Sequence, residues 1–341
     1  MRRYRFLVMS ALAVSVGVLS IGSMSVSGQA TSPTSPHRPL RTPWGDPDLQ
    51  GTWTGSTITP LERPKEFANR PFLSPEEAAA LEARARAQNT SERPSQAGDP
   101  GTYNQIWFDP SSAVVPDRRT SLIIDPPDGK IPFTPQGRSH NTQSSARYGV
   151  GARDSYLDLD TGERCLSDGV PIPYWSGYNN NYQILQTKDH VVILAEMFRD
   201  RRIVPLDGRA RTSIPQWLGE SRGRWEGDTL VVETTNFADK ASYWWATSWR
   251  AARPTLRLTE RFTRVDPETL DYQFTMEDPG TFTRPWTAKV PLSTNQAARG
   301  VTQGPLYEYA CHEGNHSIVN VLSGARAQDA ADAAAKKGSR Q

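Results

Sequence analysis

Residues 223–291 constrain the fold most, because apolar and polar side chains there alternate with the period of a β-strand. Residues two apart in a strand share a face. Leu270, Tyr272, Phe274 and Met276 therefore fall on one side, and Asp271, Gln273, Thr275 and Glu277 on the other. That is the pattern of an antiparallel strand with one buried face. The same stretch predicts two short strands over 223–235, turned by Glu226-Gly227-Asp228. Residues 256–265 predict another, joined to 270–278 by Asp266-Pro267-Glu268-Thr269, and 286–292 a fifth. Each is a β-branched or aromatic run bounded by Gly, Pro or Asp.

Extending the apolar faces brings charges into phase with them. Glu260 aligns with Leu256, Leu258 and Phe262, Asp278 with Met276, and Arg284 with Trp286, Ala288 and Val290. A buried charge is costly unless paired. The readings are a polar cluster inside a pocket, or one structural ion pair, or charges at strand ends reaching water. Upstream, 182–186 and 190–197 predict a hairpin across Lys188-Asp189. Glu196 shares a face there with Val192 and Leu194, which makes it a second candidate for an interior acid. Residues 201–206 and 122–124 predict further short strands. Gly51-Thr52-Trp53 enters a first strand in the manner of lipocalin-type barrels, or supplies an aromatic plug to some other β-core.

Many short sequential strands leave unpaired edges unless the sheet closes. The expected fold is therefore mainly β, an antiparallel meander closed into a barrel or strongly curled sheet. A lipocalin-like barrel is one form of it, and a β-sandwich is the runner-up. Ser74-Pro75-Glu76-Glu77 is a capping box that opens one amino-terminal helix. Residues 131–151, with His140, read as a long polar loop, either one wall of a site or surface. Asn315 reads as the cap of a short carboxyl-terminal helix through Ile318, Val319 and Leu322.

Arg2, Arg3 and Arg5, the apolar run 6–21 and Gly28-Gln29-Ala30 predict a signal peptide over 1–30; an uncleaved anchor is the alternative. A flexible linker follows over 31–43, then a loop-rich segment over 44–173, the β domain over 174–322 and a frayed or disordered tail over 323–341. Such a chain is exported, periplasmic or secreted. In an oxidising compartment Cys165 and Cys311 suggest a disulfide, with two buried thiols as the alternative, because spacing alone does not show that they meet.

The 39 Lys and Arg nearly balance the 37 Asp and Glu, with no long basic run, which argues against nucleic acid as a partner. No second apolar run is long enough to span a bilayer. No glycine loop suited to phosphate is visible, so no cofactor is expected. His312-Glu313-Gly314-Asn315-His316 has zinc-protease spacing, but that chemistry needs the motif inside a helix. Gly314 and Asn315 oppose one there and a third ligand is not evident, so no metal is expected.

What remains is a small molecule as substrate or ligand. The first reading is an exported isomerase, lyase or hydrolase acting on a cyclic, aromatic or sugar-like compound in a barrel pocket. Glu260, Glu196, Asp278 and His312 would do the acid–base work and Arg284 would stabilise an oxyanion. Trp286, Tyr182, Tyr272, Asn181 and Glu313 would hold the substrate. Tyr182 and Asn181 belong to a Tyr- and Asn-rich run over 176–183, which reads either as a ring-binding surface or as a turn. The second reading is a non-catalytic carrier of an apolar or aromatic ligand. A third is a surface-interaction protein with no cavity. An enzyme should present an interior acid of shifted pKa to a cavity, whereas a carrier should have its charges paired off.

Five motifs resemble those of a family of exported, mostly uncharacterised bacterial proteins. They are Trp44-Gly45-Asp46-Pro47-Asp48-Leu49-Gln50-Gly51-Thr52-Trp53, Arg224-Trp225-Glu226-Gly227-Asp228-Thr229-Leu230-Val231-Val232, Glu260-Arg261-Phe262, Thr283-Arg284-Pro285-Trp286-Thr287 and Cys311-His312-Glu313-Gly314-Asn315. The resemblance spans nearly all of the chain after the signal segment. It implies export and no particular activity, and draws attention to Glu260, Arg284, Trp286, His312 and Glu313. Members of that family usually hold an aromatic residue where this chain has His316, which speaks further against a zinc site.

Overall fold

Ten strands join in one antiparallel sheet that curls into a nearly closed barrel. The structure is a computed structural model describing residues 40–90, 110–147, 153–167, 169–171, 178–239, 249, 254–311 and 317–338, all within the unit Arg38–Gln341. The signal segment and most of the linker lie outside the described residues. The elements run β1 (Gly51–Thr54), α1 (Pro75–Thr90), β2 (Ile123–Asp125), α2 (Pro135–Arg147), β3 (Asn181–Gln186), β4 (His190–Ala195) and β5 (Arg201–Pro205). They continue with β6 (Glu220–Glu226), β7 (Thr229–Thr235), β8 (Arg257–Arg264), β9 (Thr269–Glu277), β10 (Trp286–Ser293) and α3 (Ser317–Gly338).

The sheet order is β5-β4-β3-β1-β10-β9-β8-β7-β6. Two meanders, β3–β5 and β6–β10, are thus spliced by β1, which pairs with β3 from Gly51↔Ile184 to Thr54↔Asn181 and touches β10 at Thr54↔Ser293. The alternation read from β9 is real in space: Leu270, Tyr272, Phe274 and Met276 are all buried, and Thr269, Asp271, Gln273 and Thr275 are not. Trp53 is fully buried, donates its indole N–H to Leu49 O at 3.0 Å and carries the Arg264 guanidinium 5.2 Å above its ring.

Off the main path, β2 pairs with β10 at Thr287 and Ala288. Between β2 and β1 the edge of β10 has no strand beside it among the described residues. There the Arg119 Nη1 donates to Lys289 O at 3.2 Å and the Arg299 Nη2 to Pro291 O. Pro291 has no N–H to leave unsatisfied, which suits it to such a gap. Burial, and then the nearby Arg119 charge, push the Arg299 pKa down to about 10, so it is still cationic at neutral pH.

The two ends of the sheet, β5 and β6, lie side by side without a backbone ladder. Gly223 permits this approach: a Cβ on it would sit 2.7 Å from Leu206 Cδ2 and 2.8 Å from Val204 Cγ1. The chain between β5 and β6 is fastened back by side chains. Arg222 donates to Arg209 O at 2.8 Å and Ala210 O at 2.7 Å, and Glu220 accepts from Thr212 N at 2.8 Å.

The capping box forms as read, with Glu77 N on Ser74 Oγ at 3.2 Å and Ser74 N on the Glu77 carboxylate at 2.9 Å. The supposed loop after Ile131 is corrected: Pro135–Arg147 is the helix α2. Thr134 caps it, accepting from Gly137 N at 2.9 Å, and Pro135 takes the first helical position. The Thr134-Pro135 pair is the same signal as Ser74-Pro75, masked by the polar residues that follow. Gly137 lets this helix abut the turn after β9, since a Cβ there would lie 2.2 Å from Thr281 O. Gly137→Ala is expected to cost about 1–3 kcal/mol, because it overpacks against backbone that has no rotamer to change; a urea melt checks it. The carboxyl-terminal helix is also longer than read, reaching Gly338 through the alanine-rich tail. Among the described residues no helix is long and apolar enough to cross a membrane.

Candidate functional site

The charge inside the barrel is a three-residue network contributed by β5, β8 and β9. Arg202 alternates inward between the exposed Arg201 and Ile203. Glu260 and Tyr272 occupy the inner faces of β8 and β9, one register step apart (Glu260↔Phe274, Phe262↔Tyr272). In sheet order β5 lies far from β8, so only curvature of the whole sheet brings Arg202 to Glu260. The pair is bidentate, Nη1 to Oε2 at 2.5 Å and Nη2 to Oε1 at 3.0 Å. The Tyr272 hydroxyl donates to Oε1 at 2.7 Å. Glu260 is 0 % exposed and Arg202 5 %.

Burial by itself lowers the Arg202 pKa, but the adjacent Glu260 carboxylate outweighs it and the net direction is up. Burial, reinforced by that carboxylate, drives the Tyr272 phenol well above its ordinary value, so it stays a neutral donor. Glu260 is thus an interior charge with three donors on it. Glu260 is legible in the sequence as a charge on an apolar face; its partner Arg202 is not among the residues that the sequence singles out. The signal was present: Arg202 is in phase with Val204, just as Glu260 is with Phe262.

The other interior acid candidates are also occupied. Asp278 is 1 % exposed and organises the turn after β9, accepting from Thr255 Oγ1 at 2.8 Å, Thr281 Oγ1 at 2.6 Å and Gly280 N at 3.2 Å. Glu196 needs correction. The buried face of β4 carries Val191 and Ile193, not Val192 and Leu194, and Glu196 lies past the strand's end. Its buried carboxylate accepts from Asn181 Nδ2 at 2.9 Å and Tyr307 N at 2.7 Å, holding the chain after β10 against the start of β3. Glu196→Gln is expected to cost about 1–3 kcal/mol and to raise protease cleavage within 301–311, read by timed digestion and mass spectrometry.

Arg284 is a second correction. It precedes β10, and its half-exposed side chain pairs with the exposed Asp125 at 2.5 Å, outside the barrel. Pro285 ends the alternation before it reaches Arg284. Asn181 is held by Glu196 and by Gln296 Nε2 at 3.0 Å. Tyr182 is buried on the inner face of β3. Trp286 is fully buried among Trp249, Phe274 and Phe282, with ring centroids 5.5 to 5.7 Å away. That end of the barrel is therefore packed with the protein's own rings. His312 and Glu313 lie outside the described residues. Cys165 and Cys311 are joined in a disulfide. Among the described residues no cluster of three His, Cys, Asp or Glu side chains stands ready for a metal ion.

The opening next to the network is at the seam. Where β5 and β6 do not pair, a cleft of about 370 Å³ is lined by Arg201, Arg202, Ile203 and Pro205 on one side. Leu218, Glu220, Ser221 and Arg222 line the other, with Arg209, Ala210 and Thr212 at the rim. Arg202 and Ser221 are buried, and Ser221 Oγ is 2.8 Å from Thr234 Oγ1, so part of the cleft's lining is buried polar surface. A second cleft, of about 500 Å³, lies between α1 and the barrel. Glu82 on its wall is already used, accepting from Val114 N at 3.1 Å. No family model, curated protein or solved structure matches the chain.

Proposed function

We propose that this protein is an exported, non-catalytic carrier of a small molecule, held in the cleft at the β5–β6 seam. One observation carries the reading. The acids among the described acid–base candidates, Glu260, Glu196 and Asp278, each accept three hydrogen bonds from the protein itself. A carboxylate committed to its own donors is poorly placed to reach a proton on a ligand, whereas the seam cleft has a size suited to a small ligand. The Cys165–Cys311 disulfide supports an oxidising compartment and hence export.

The test is a thermal-shift screen of the purified protein with phenolics, sugars, sterol-like compounds and carboxylic acids. A ligand present at one hundred times its Kd should stabilise by about 2.7 kcal/mol. The hit should be recovered chemically unchanged after overnight incubation, and Ala210→Trp at the cleft rim should abolish the shift. If no compound shifts the melt, or if Ala210→Trp leaves the shift intact, this assignment is wrong. Conversion of the hit by wild type but not by Glu260→Gln would instead establish the acid–base enzyme.

A further inference from the structure

The seam cleft is unevenly charged. Its lining contains four guanidinium groups, Arg201, Arg202, Arg209 and Arg222, against the single carboxylate of Glu220. Three of the four have partners. Arg202 is held by Glu260 at 2.5 and 3.0 Å. Arg209 is held by Asp207 at 2.5 to 2.9 Å. Arg222 donates to Glu220 at 2.5 Å and to three backbone carbonyls at 2.7 to 2.8 Å. Arg201 is exposed and has no ion pair or side-chain hydrogen bond among the described residues. It stands on the outer face of β5 beside Ile203, two residues on, which is 62 % exposed and lines the same cleft.

We infer that the ligand of this cleft is a monoanionic carboxylic acid on an apolar body, with Arg201 as the group that reads the acid. The inference rests on the carrier reading of the same cleft. A guanidinium offers two parallel N–H donors that match a carboxylate. The apolar body has Ile203, Pro205 and Leu218 to lie against. From Ile203 the apolar surface continues across the outer face of the sheet, because Ile203 pairs with Val192, and Val192 with the 45 % exposed Leu185. With Arg202, Arg209 and Arg222 each already paired to a carboxylate, Arg201 leaves one positive charge to be matched, which favours a carboxylate over a phosphate dianion.

The experiment is calorimetric titration with octanoate and naphthalene-2-carboxylate, each beside its uncharged amide. The proteins are wild type, Arg201→Gln and Arg201→Glu, each shown by its melt to be folded. The acids should bind about tenfold more tightly than the amides, the worth of one charge-assisted hydrogen-bonding contact. Arg201→Gln should remove that factor, Arg201→Glu should weaken the acids further, and neither should change the amides. Raising the salt should weaken the acids alone. Equal binding of acids and amides, or acid affinity unmoved by Arg201→Gln, overturns the acid anchor and leaves the carrier reading standing. Failure of these probes while another compound binds and is blocked by Ala210→Trp does the same. If no compound of any class binds, both fall.

Discussion

Glu260→Gln is expected to destabilise the protein by about 3–5 kcal/mol, the usual penalty for stranding one partner of a buried ion pair. The substitution keeps the shape of the side chain and removes its charge. Arg202, 5 % exposed, then loses its paired carboxylate, and the Tyr272 hydroxyl loses a charged acceptor. In a domain of this size the melting temperature should fall by roughly 10 °C. The double variant Arg202→Met/Glu260→Met should recover most of the loss, because apolar side chains of similar volume avoid the desolvation that the ion pair must overcome. Urea melts of the three proteins decide it. If Glu260→Gln melts within about 2 °C of wild type, the network does not join β5 to β8 in the way the geometry indicates.

Loss of the Cys165–Cys311 disulfide, by reduction or by serine at both positions, is expected to cost about 2–5 kcal/mol. The bond closes a loop across a sequence separation of 146, so it removes much freedom from the unfolded chain. Neither cysteine belongs to a strand, and the barrel should persist without it. The damage should concentrate in residues 301–311. That segment would keep its attachments to Gln296, through Val301 N, Gln303 and Gly304 N, and those to the turn after β4: Tyr307 N on Glu196, Tyr309 packed 4.8 Å from Phe198, and an exposed ion pair of Glu308 with Arg199 at 3.5 Å. Hydrogen exchange should show protection lost there and kept in β7 to β9. Uniform loss across the sheet would mean that the disulfide supports the barrel itself.

Local pattern carried most of the strand content. β9 and its neighbours declare themselves because one face meets the core and the other does not, and the β6–β7 turn at Gly227 and the cap at Ser74 follow from local backbone chemistry. Helix α2 was hidden because its polar sequence gives no apolar stripe, leaving only Thr134-Pro135 to announce it. Glu196 and Arg284 share one cause, strand phase carried past the strand's end, and at Glu196 the face of β4 is also inverted, Val191 and Ile193 being the buried pair. At Glu196 the chain has already turned, and at Arg284 the strand has not yet begun.

The amino-acid sequence by itself determined the alternating strands, their order along the chain, the capped first helix and an acid at Glu260 that had to be paired. Only the tertiary structure decided which partner that acid found, that β1 splices two meanders, and that the sheet's last two edges meet over a cleft instead of a ladder. The physical reason is range. Periodicity and capping are settled within a few residues, whereas Arg202 and Glu260 meet because every intervening strand adds its own increment of twist and coil.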